Sequence, residues 1–565
     1  MRTASSGRAR RVSVCTALAL AAGMLLATPA SAGAPVPLPS AGQPAAGSAE
    51  LPDRSYTVPR GTGRASAAGV RGDTLPLADL NGDGWEDVVF RAMDGKLYSS
   101  LSDGGGAAFL PARTEVAKDV VPVGDQGGGG VRPEVLVLSG TGVLTMYQDA
   151  HPGGYGAERR VGGGWQIYNK VFSPGDFDGD GRADVLARTH AGELYAYLGT
   201  GRMSGPLSTR KRVGGGWGVY DQLVGVGDAD GDGRGDLYAR DTAGRLWFYA
   251  ATGDPSRPFA TRRAIGRGWN TYNQIAWAGS GAVVARDNTG TVYLYDPRGD
   301  GTLSPRRKAS ETGGWAGVAQ FANSGSIPHT GKGGVVARTR AGNLYWYGAT
   351  TRGVLTARDQ LTDDGSWAGL HLLHSSSLTP DGFSSLGLVH DGVLYFGRST
   401  IGSGWGVYDA LVGPGDLSGD GRGDLLARDR SGVLYLYRGN GYGTAFASRV
   451  RVGGGWGAYD KLVGAGDHTG DGRADLLART ASGDLYLYAG TGRASAPFTA
   501  RKRVGGGWGV YRQIAAPGDL NADGKADLLA VTSGGTLYRY LNTVPGTFAP
   551  RAQLATGFGV YDTFS

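Results

Sequence analysis

The chain has 565 residues, of which 57 are basic and 50 acidic, a formal net charge of +7. The bases are scattered and form no cluster interleaved with stacking aromatics, which excludes nucleic acid as the expected partner. The single cysteine, Cys15, excludes a disulfide framework.

Arg2, Arg8, Arg10 and Arg11 precede an apolar stretch from Val12 to Ala27, and Ala30-Ser-Ala32 offers small residues for cleavage before Gly33. This layout predicts a signal peptide over residues 1–32 and a secreted, extracellular product. The apolar stretch is too short to favour a permanent span, so no membrane span is expected in the mature chain. Removing it takes away the only cysteine and four arginines, leaving a net charge of +3. Residues 33–64, rich in Ala, Pro, Gly and Ser, read as a flexible linker.

From residue 65 onward one unit repeats. It reads Gly-Gly-Gly-Trp-Gly-Val-Tyr-Asp, an acidic loop, Asp-Leu-Leu-Ala-Arg, Gly-x-Leu-Tyr-x-Tyr, then Phe-x-x-Arg-x-x-Val-Gly. The apolar run after the loop marks the register at Val88, Val135, Val185, Leu237, Val283, Val335, Leu386, Leu425, Leu476 and Leu528. Units of about fifty residues, each with short Val-, Leu-, Tyr- and Trp-rich pieces bounded by Gly, Asp or Asn, predict an all-β fold. The expected architecture is a β-propeller of ten four-stranded blades. Two five-bladed rings, over 65–319 and 320–565, and one large ring both satisfy the spacing. In the first case the Gly314-Trp315 strand closes one ring and the Phe558 strand the other.

The acidic loop is an Asp-x-Asp-x-Asp-Gly-x-x-Asp nonapeptide. Its copies use Asp79, Asn81, Asp83 and Asp87; Asp176, Asp178, Asp180 and Asp184; Asp228, Asp230, Asp232 and Asp236. Three more use Asp416, Ser418, Asp420 and Asp424; Asp467, Thr469, Asp471 and Asp475; Asp519, Asn521, Asp523 and Asp527. Oxygen-bearing side chains at positions one, three, five and nine, a backbone carbonyl at seven and a glycine at six let a short loop wrap a hard cation. The spacing predicts calcium, a natural staple for an exported chain without disulfides. Units two, five, six and seven lack this oxygen ladder, so calcium is not required to make a blade.

These loops with their Asp-Leu-Leu-Ala-Arg runs resemble the FG-GAP/VCBS repeats of integrin-type propellers and of many secreted bacterial proteins. The Gly-Gly-Trp…Gly-x-Leu-Tyr rhythm is similar to that of tachylectin-like propeller lectins. The resemblance implies a propeller with calcium in its blade loops, and adhesion or glycan binding, but it fixes no ligand.

A Trp and a Tyr three residues apart recur as Trp165/Tyr168, Trp217/Tyr220, Trp269/Tyr272, Trp405/Tyr408, Trp456/Tyr459 and Trp508/Tyr511. An indole beside a hydroxyl suits a sugar face, and the same residues can equally fill space between blades. On a regular strand a spacing of three places the two on opposite faces. Arg-Gly-Asp occurs four times, but Asp236 and Asp424 end two of these copies as ninth-position ligands. Catalysis has little to rest on. The seven histidines do not follow the repeat, His371 and His374 lack the spacing of a zinc-protease helix, and the recurring carboxylates are spaced for metal. The expected function is therefore a secreted, non-catalytic calcium-binding protein that holds glycans or a cell-surface partner in pockets between blades. The alternative is a propeller-fold polysaccharide hydrolase or lyase.

Overall fold

The structure is a computed structural model that describes residues 51, 59, 76–109, 115–127, 132–279, 281–324, 331–464, 466–544 and 546–565. The chain separates into Met1–Pro44 and Ala45–Ser565, and all described residues belong to the second unit. The expected signal peptide and nearly all of the linker lie outside them.

Each of the ten repeats forms a four-stranded antiparallel sheet. Among the described residues there is no α-helix, only single 3-10 turns. Blade 3 shows the pattern: Tyr168–Gly175, Asp184–Thr189, Leu194–Tyr197 and Lys211–Gly214, running from the inner to the outer edge. Its second strand is buried almost throughout because a neighbouring blade covers each face. Its third strand alternates between buried and half-buried, as a period of two requires. Clusters of apolar side chains fill the wedge between consecutive blades. Leu186 and Leu194 of blade 3, for example, pack with Trp217, Tyr220 and Leu237 of blade 4.

The sheets fall into two sets of five. In the first, Val318–Phe321 pairs with Val88–Ala92; in the second, Tyr561–Phe564 pairs with Gly334–Thr339. In each set a strand from the far end of the sequence thus supplies the inner strand of the first blade, which removes an exposed edge. The division anticipated at 319/320 falls inside Val318–Phe321. The first set continues at least to Asn323, whose amide bonds to both N and O of Ser173.

The Ala-Arg at the end of the second strand has a purpose that its sequence did not disclose. Arg188, Arg240, Arg286, Arg338, Arg428 and Arg479 each reach two backbone carbonyls of the neighbouring blade, which for Arg286 is blade 1. Arg240 donates to Trp269 O and Tyr272 O while pairing side-on with Asp221 at 2.9 Å through both of its oxygens. Blade 10 has Val531 at the arginine position, and there the cation comes from the adjacent strand instead: Arg512 donates to Phe558 O and Tyr561 O. Blade 2, with Leu138 there, uses Lys118 in the same way, donating to Tyr168 O at 2.8 Å.

Candidate metal loops and indole grooves

The acidic loops lead into the second strands of their blades, and all but 79–87 also follow directly from the first. In every copy the first aspartate folds the loop by accepting backbone N–H groups. Asp176 Oδ1 accepts from Gly179 and Asp180, and Oδ2 from Gly181 at 2.6 Å. The ninth aspartate ties the loop to the sheet. Asp184 accepts from Phe177 N at 3.2 Å and from Gly199 N, just past the third strand, at 2.9 Å. Asp87, Asp236, Asp424, Asp475 and Asp527 repeat that double bond.

The carboxylates of Asp176, Asp178 and Asp184 converge, with ligand atoms within 4.8 Å of one another, and so do those of Asp228, Asp230 and Asp236. The fifth-position residues Asp180 and Asp232 stand outside these groups. Each accepts the seventh-position N–H and pairs with that residue's guanidinium, Arg182 or Arg234, at 3.0 Å. In the other four loops the third position is Asn81, Ser418, Thr469 or Asn521. The Ser418 and Thr469 hydroxyls donate to Asp416 and Asp467, and Asn521 Nδ2 donates to Asp523 Oδ2. The fifth-position residues Asp83, Asp420, Asp471 and Asp523 each accept the seventh-position N–H.

The donor set fits calcium on two observations. Asp230 Oδ1 and Asn521 Oδ1 are buried at position three without a hydrogen-bond partner. Burial, helped by the neighbouring carboxylates, also pushes the ninth aspartates far above the usual carboxylate range despite the N–H groups they accept. Asp184, Asp236 and Asp424 are raised to about 8 and Asp87 to about 6. Among the first aspartates, Asp467 and Asp519 rise to about 7 and Asp416 to about 6, again chiefly by burial. A divalent cation supplies the charge that such a cluster needs in order to ionise.

Glycine at position six is required by the backbone: Gly84, Gly181, Gly233, Gly421, Gly472 and Gly524 all have φ between 82° and 89°. At Gly181 no atom lies within 4 Å of where a Cβ would stand, so Gly181→Ala meets only the left-handed strain. It is expected to cost about 1–2 kcal/mol in chemical denaturation and to weaken calcium at that loop. A neutral result would show that the turn tolerates alanine, as position four of the last loop does with Ala522 at φ 57°.

Unit two holds a substitute that sequence reading passed over. Glu134 precedes Val135 as Asp184 precedes Val185, and its Oε2 accepts Gln126 N at 2.5 Å. The ninth-position register was the signal that could have found it.

The twelve Trp and Tyr residues lie between blades. Each pair packs edge-on or tilted at 5.5–5.8 Å, which overturns the opposite-face expectation. A 3-10 turn such as Trp165–Ile167 precedes the strand, and its period of three brings i and i+3 to one side. The tyrosine hydroxyls are committed to protein: Tyr168, Tyr220, Tyr272, Tyr408, Tyr459 and Tyr511 each bond a second tyrosine and an arginine. The indoles are 6–8% exposed, and Nε1 of Trp165, Trp217, Trp269, Trp405, Trp456 and Trp508 has no hydrogen bond to the described residues. The glycine three residues before the tryptophan lies over four of these donors. A Cβ built on Gly162, Gly214, Gly266 or Gly505 would stand 3.2–4.0 Å from the indole nitrogen.

Outside the repeat, His374 Nδ1 faces Ser565 O at 2.8 Å and its ring meets Trp346 edge-on. Burial holds its pKa well below the ordinary value. His371 begins the same strand on its exposed side.

Residues 176–239, 416–478 and 467–530 match the FG-GAP-like repeat family. No curated protein matches the chain. Among solved structures, it is similar to an Agrocybe aegerita lectin described as recognising non-reducing terminal N-acetylglucosamine. The identity is 17% over 81% of this chain and 96% of that one, with a TM-score of 0.22. It is also similar to a luciferin-regenerating enzyme, at 12% identity over 51% of this chain and 91% of that one, TM-score 0.27. Matched repeats thus lie in both sets of blades, each carrying the same loop tied to the same sheet, so the chain contains FG-GAP-like repeats.

Proposed function

We propose that this is a secreted, non-catalytic propeller of two five-bladed rings that is stapled by calcium and binds glycans in the grooves between its blades. The observation that carries the binding reading is the set of six indole N–H donors, each leading a blade, without an acceptor among the described residues. Glycine over four of them keeps the donor open, while the same 3-10 turn presents an exposed aliphatic side chain at Ile167, Val219, Val407 or Val510. A hydrogen-bond donor beside apolar surface is the combination a sugar ring needs. Repeated shallow sites of this kind act through multivalency, where several weak contacts on one scaffold give strong binding to a repeating ligand. Calcium affinity of ~0.1–1 mM is expected, as for other extracellular modules.

The test is a glycan array, including chitin and peptidoglycan fragments, probed in millimolar calcium. The native chain is compared with Gly214→Val/Gly505→Val, which covers two indoles without touching a metal loop. Binding to a defined glycan that falls at least several-fold in the variant supports the reading. Equal binding by both would remove the indole grooves from the site, and no binding by the native chain would turn the search to a protein partner.

A further inference from the structure

We propose that calcium in the three loops of the second set, 416–424, 467–475 and 519–527, clamps the two sets of blades together, whereas calcium in the first set stabilises only its own blades. The inference rests on the calcium reading above.

The same nonapeptide has two different surroundings. At position six of the first-set loops, nothing lies within 4 Å of a Cβ built on Gly84, Gly181 or Gly233. In the second set, a Cβ on Gly421 would stand 2.7 Å from Gly140 O, and one on Gly472 would stand 2.7 Å from Asn169 Cβ, both atoms of the first set. The second-set loops are docked end-on, and their backbone makes the contact. Asp471 O accepts from Asn169 Nδ2 at 2.9 Å and faces His190 Nδ1 at 2.7 Å. Asn521 O accepts from Asn273 Nδ2 at 2.6 Å, and Ala522 O accepts from Gln274 Nε2 at 3.3 Å.

The first-set donors carry their own signature. Asn169 and Asn273 occupy the repeat position that pairs with the stapling arginine, and their Oδ1 atoms accept from Arg188 and Arg286 at 3.0 Å. At the same position Asp221, Asp409, Asp460 and Asp562 serve Arg240, Arg428, Arg479 and Arg338. A carboxylate therefore suffices for the staple. The amide appears where an extra N–H must reach a loop of the other set.

The accepting carbonyls belong to positions three, four and five of the loops, and the side chains at three and five belong to the ligand set. Asn521 is 6% exposed, and its Oδ1 is unpartnered in the loop. A cation that draws in the side chains of Asp471 and Asn521 fixes the peptides whose carbonyls dock. Without it, clustered carboxylates repel and the docking surface loses its shape. Docking and calcium binding are then linked, and the coupling must be reciprocal.

That reciprocity supplies the test. Asn169→Asp/Asn273→Asp keeps both arginine staples but removes the two asparagine donors, one to each of the loops 467–475 and 519–527. Calorimetric titration of the metal-stripped full chain with calcium chloride is expected to show two sites weakened by roughly 5-fold or more in this variant, with four unchanged. Small-angle scattering of the native chain should show a larger radius of gyration in EDTA than in calcium. Calcium uptake with equal affinities in both proteins and unaltered scattering would overturn the clamp alone; no uptake would overturn it together with the calcium reading. If EDTA abolishes the β-sheet signal in circular dichroism, the titration of the variant decides.

Discussion

In EDTA the protein is expected to become less stable as the pH rises from about 4 to about 8, and saturating calcium is expected to reverse this trend. The sign follows from the buried carboxyls. Asp184, Asp236 and Asp424 are raised to about 8, Asp467 and Asp519 to about 7, and Asp475 and Asp527 well above the ordinary value, all led by burial. Between an unfolded value near 3.8 and these folded values, the native state binds more protons than the unfolded one, so stability falls with pH. Two groups of buried bases oppose this. His190 and His468, lowered by burial to about 4, favour the native state as pH climbs to 6.5, and Lys170 and Lys332, lowered to about 7, do so above 7. The carboxyls outnumber them throughout the window. Calcium competes with protons for the loops, so its increment to the melting temperature should be larger at pH 8 than at pH 5. A hundredfold excess over Kd stabilises by about 2.7 kcal/mol per site. An increment that is flat with pH, or larger at pH 5, would mean that these carboxylates do not hold the ion.

The largest effect of a single substitution is expected at the blade staples. Arg240→Ala leaves Asp221 in the interior without its guanidinium and strips two carbonyls of blade 5 of their donor. Burial by itself would raise the Asp221 carboxyl, yet Arg240 beside it holds the value below the ordinary one. Breaking such a pair from one side costs about 3–5 kcal/mol, read as a lower denaturation midpoint in urea. Arg240→Ala/Asp221→Leu should recover part of that loss, because no charge is then left unpaired. A single variant within about 0.5 kcal/mol of the native protein would show that solvent reaches the site and screens it.

Much of this architecture was legible in the chain because a repeat announces itself. The register residues from Val88 to Leu528 mark the second strands, and the spare Gly-Trp and Gly-Phe strands at 315 and 558 foretold the pairings at Val318–Phe321 and Tyr561–Phe564. The loops were equally plain, since a nonapeptide carries its own ligand spacing. What escaped depended on neighbours remote in sequence. The arginine after Leu-Leu-Ala looked like a strand end, because its partners are carbonyls about 30 residues on in the next blade. The exchange of Val531 and Arg512 leaves no local trace, as only the position of the charge in space is preserved. Asp180 and Asp232 turn toward the adjacent arginines, which nonapeptide spacing gives no reason to expect. The 3-10 turn defeated the strand rule for Trp165 and Tyr168, since three residues per turn and two per pleat give opposite answers for the same spacing.

The strand that completes each set also imposes a timetable. The first set has every strand once Phe321 has been made, so on a growing chain it can finish while the second is still incomplete. The second waits for Tyr561–Phe564 before its opening blade, begun at Gly334, gains an inner strand. Through that interval blade 6 carries a bare edge, which is where an unfinished neighbour of the same repeat could pair in error. Differences between blades, such as the lost metal loops and the relocated cations at Lys118 and Arg512, make each junction a poor fit for the wrong partner and so help the chain to count its own repeats.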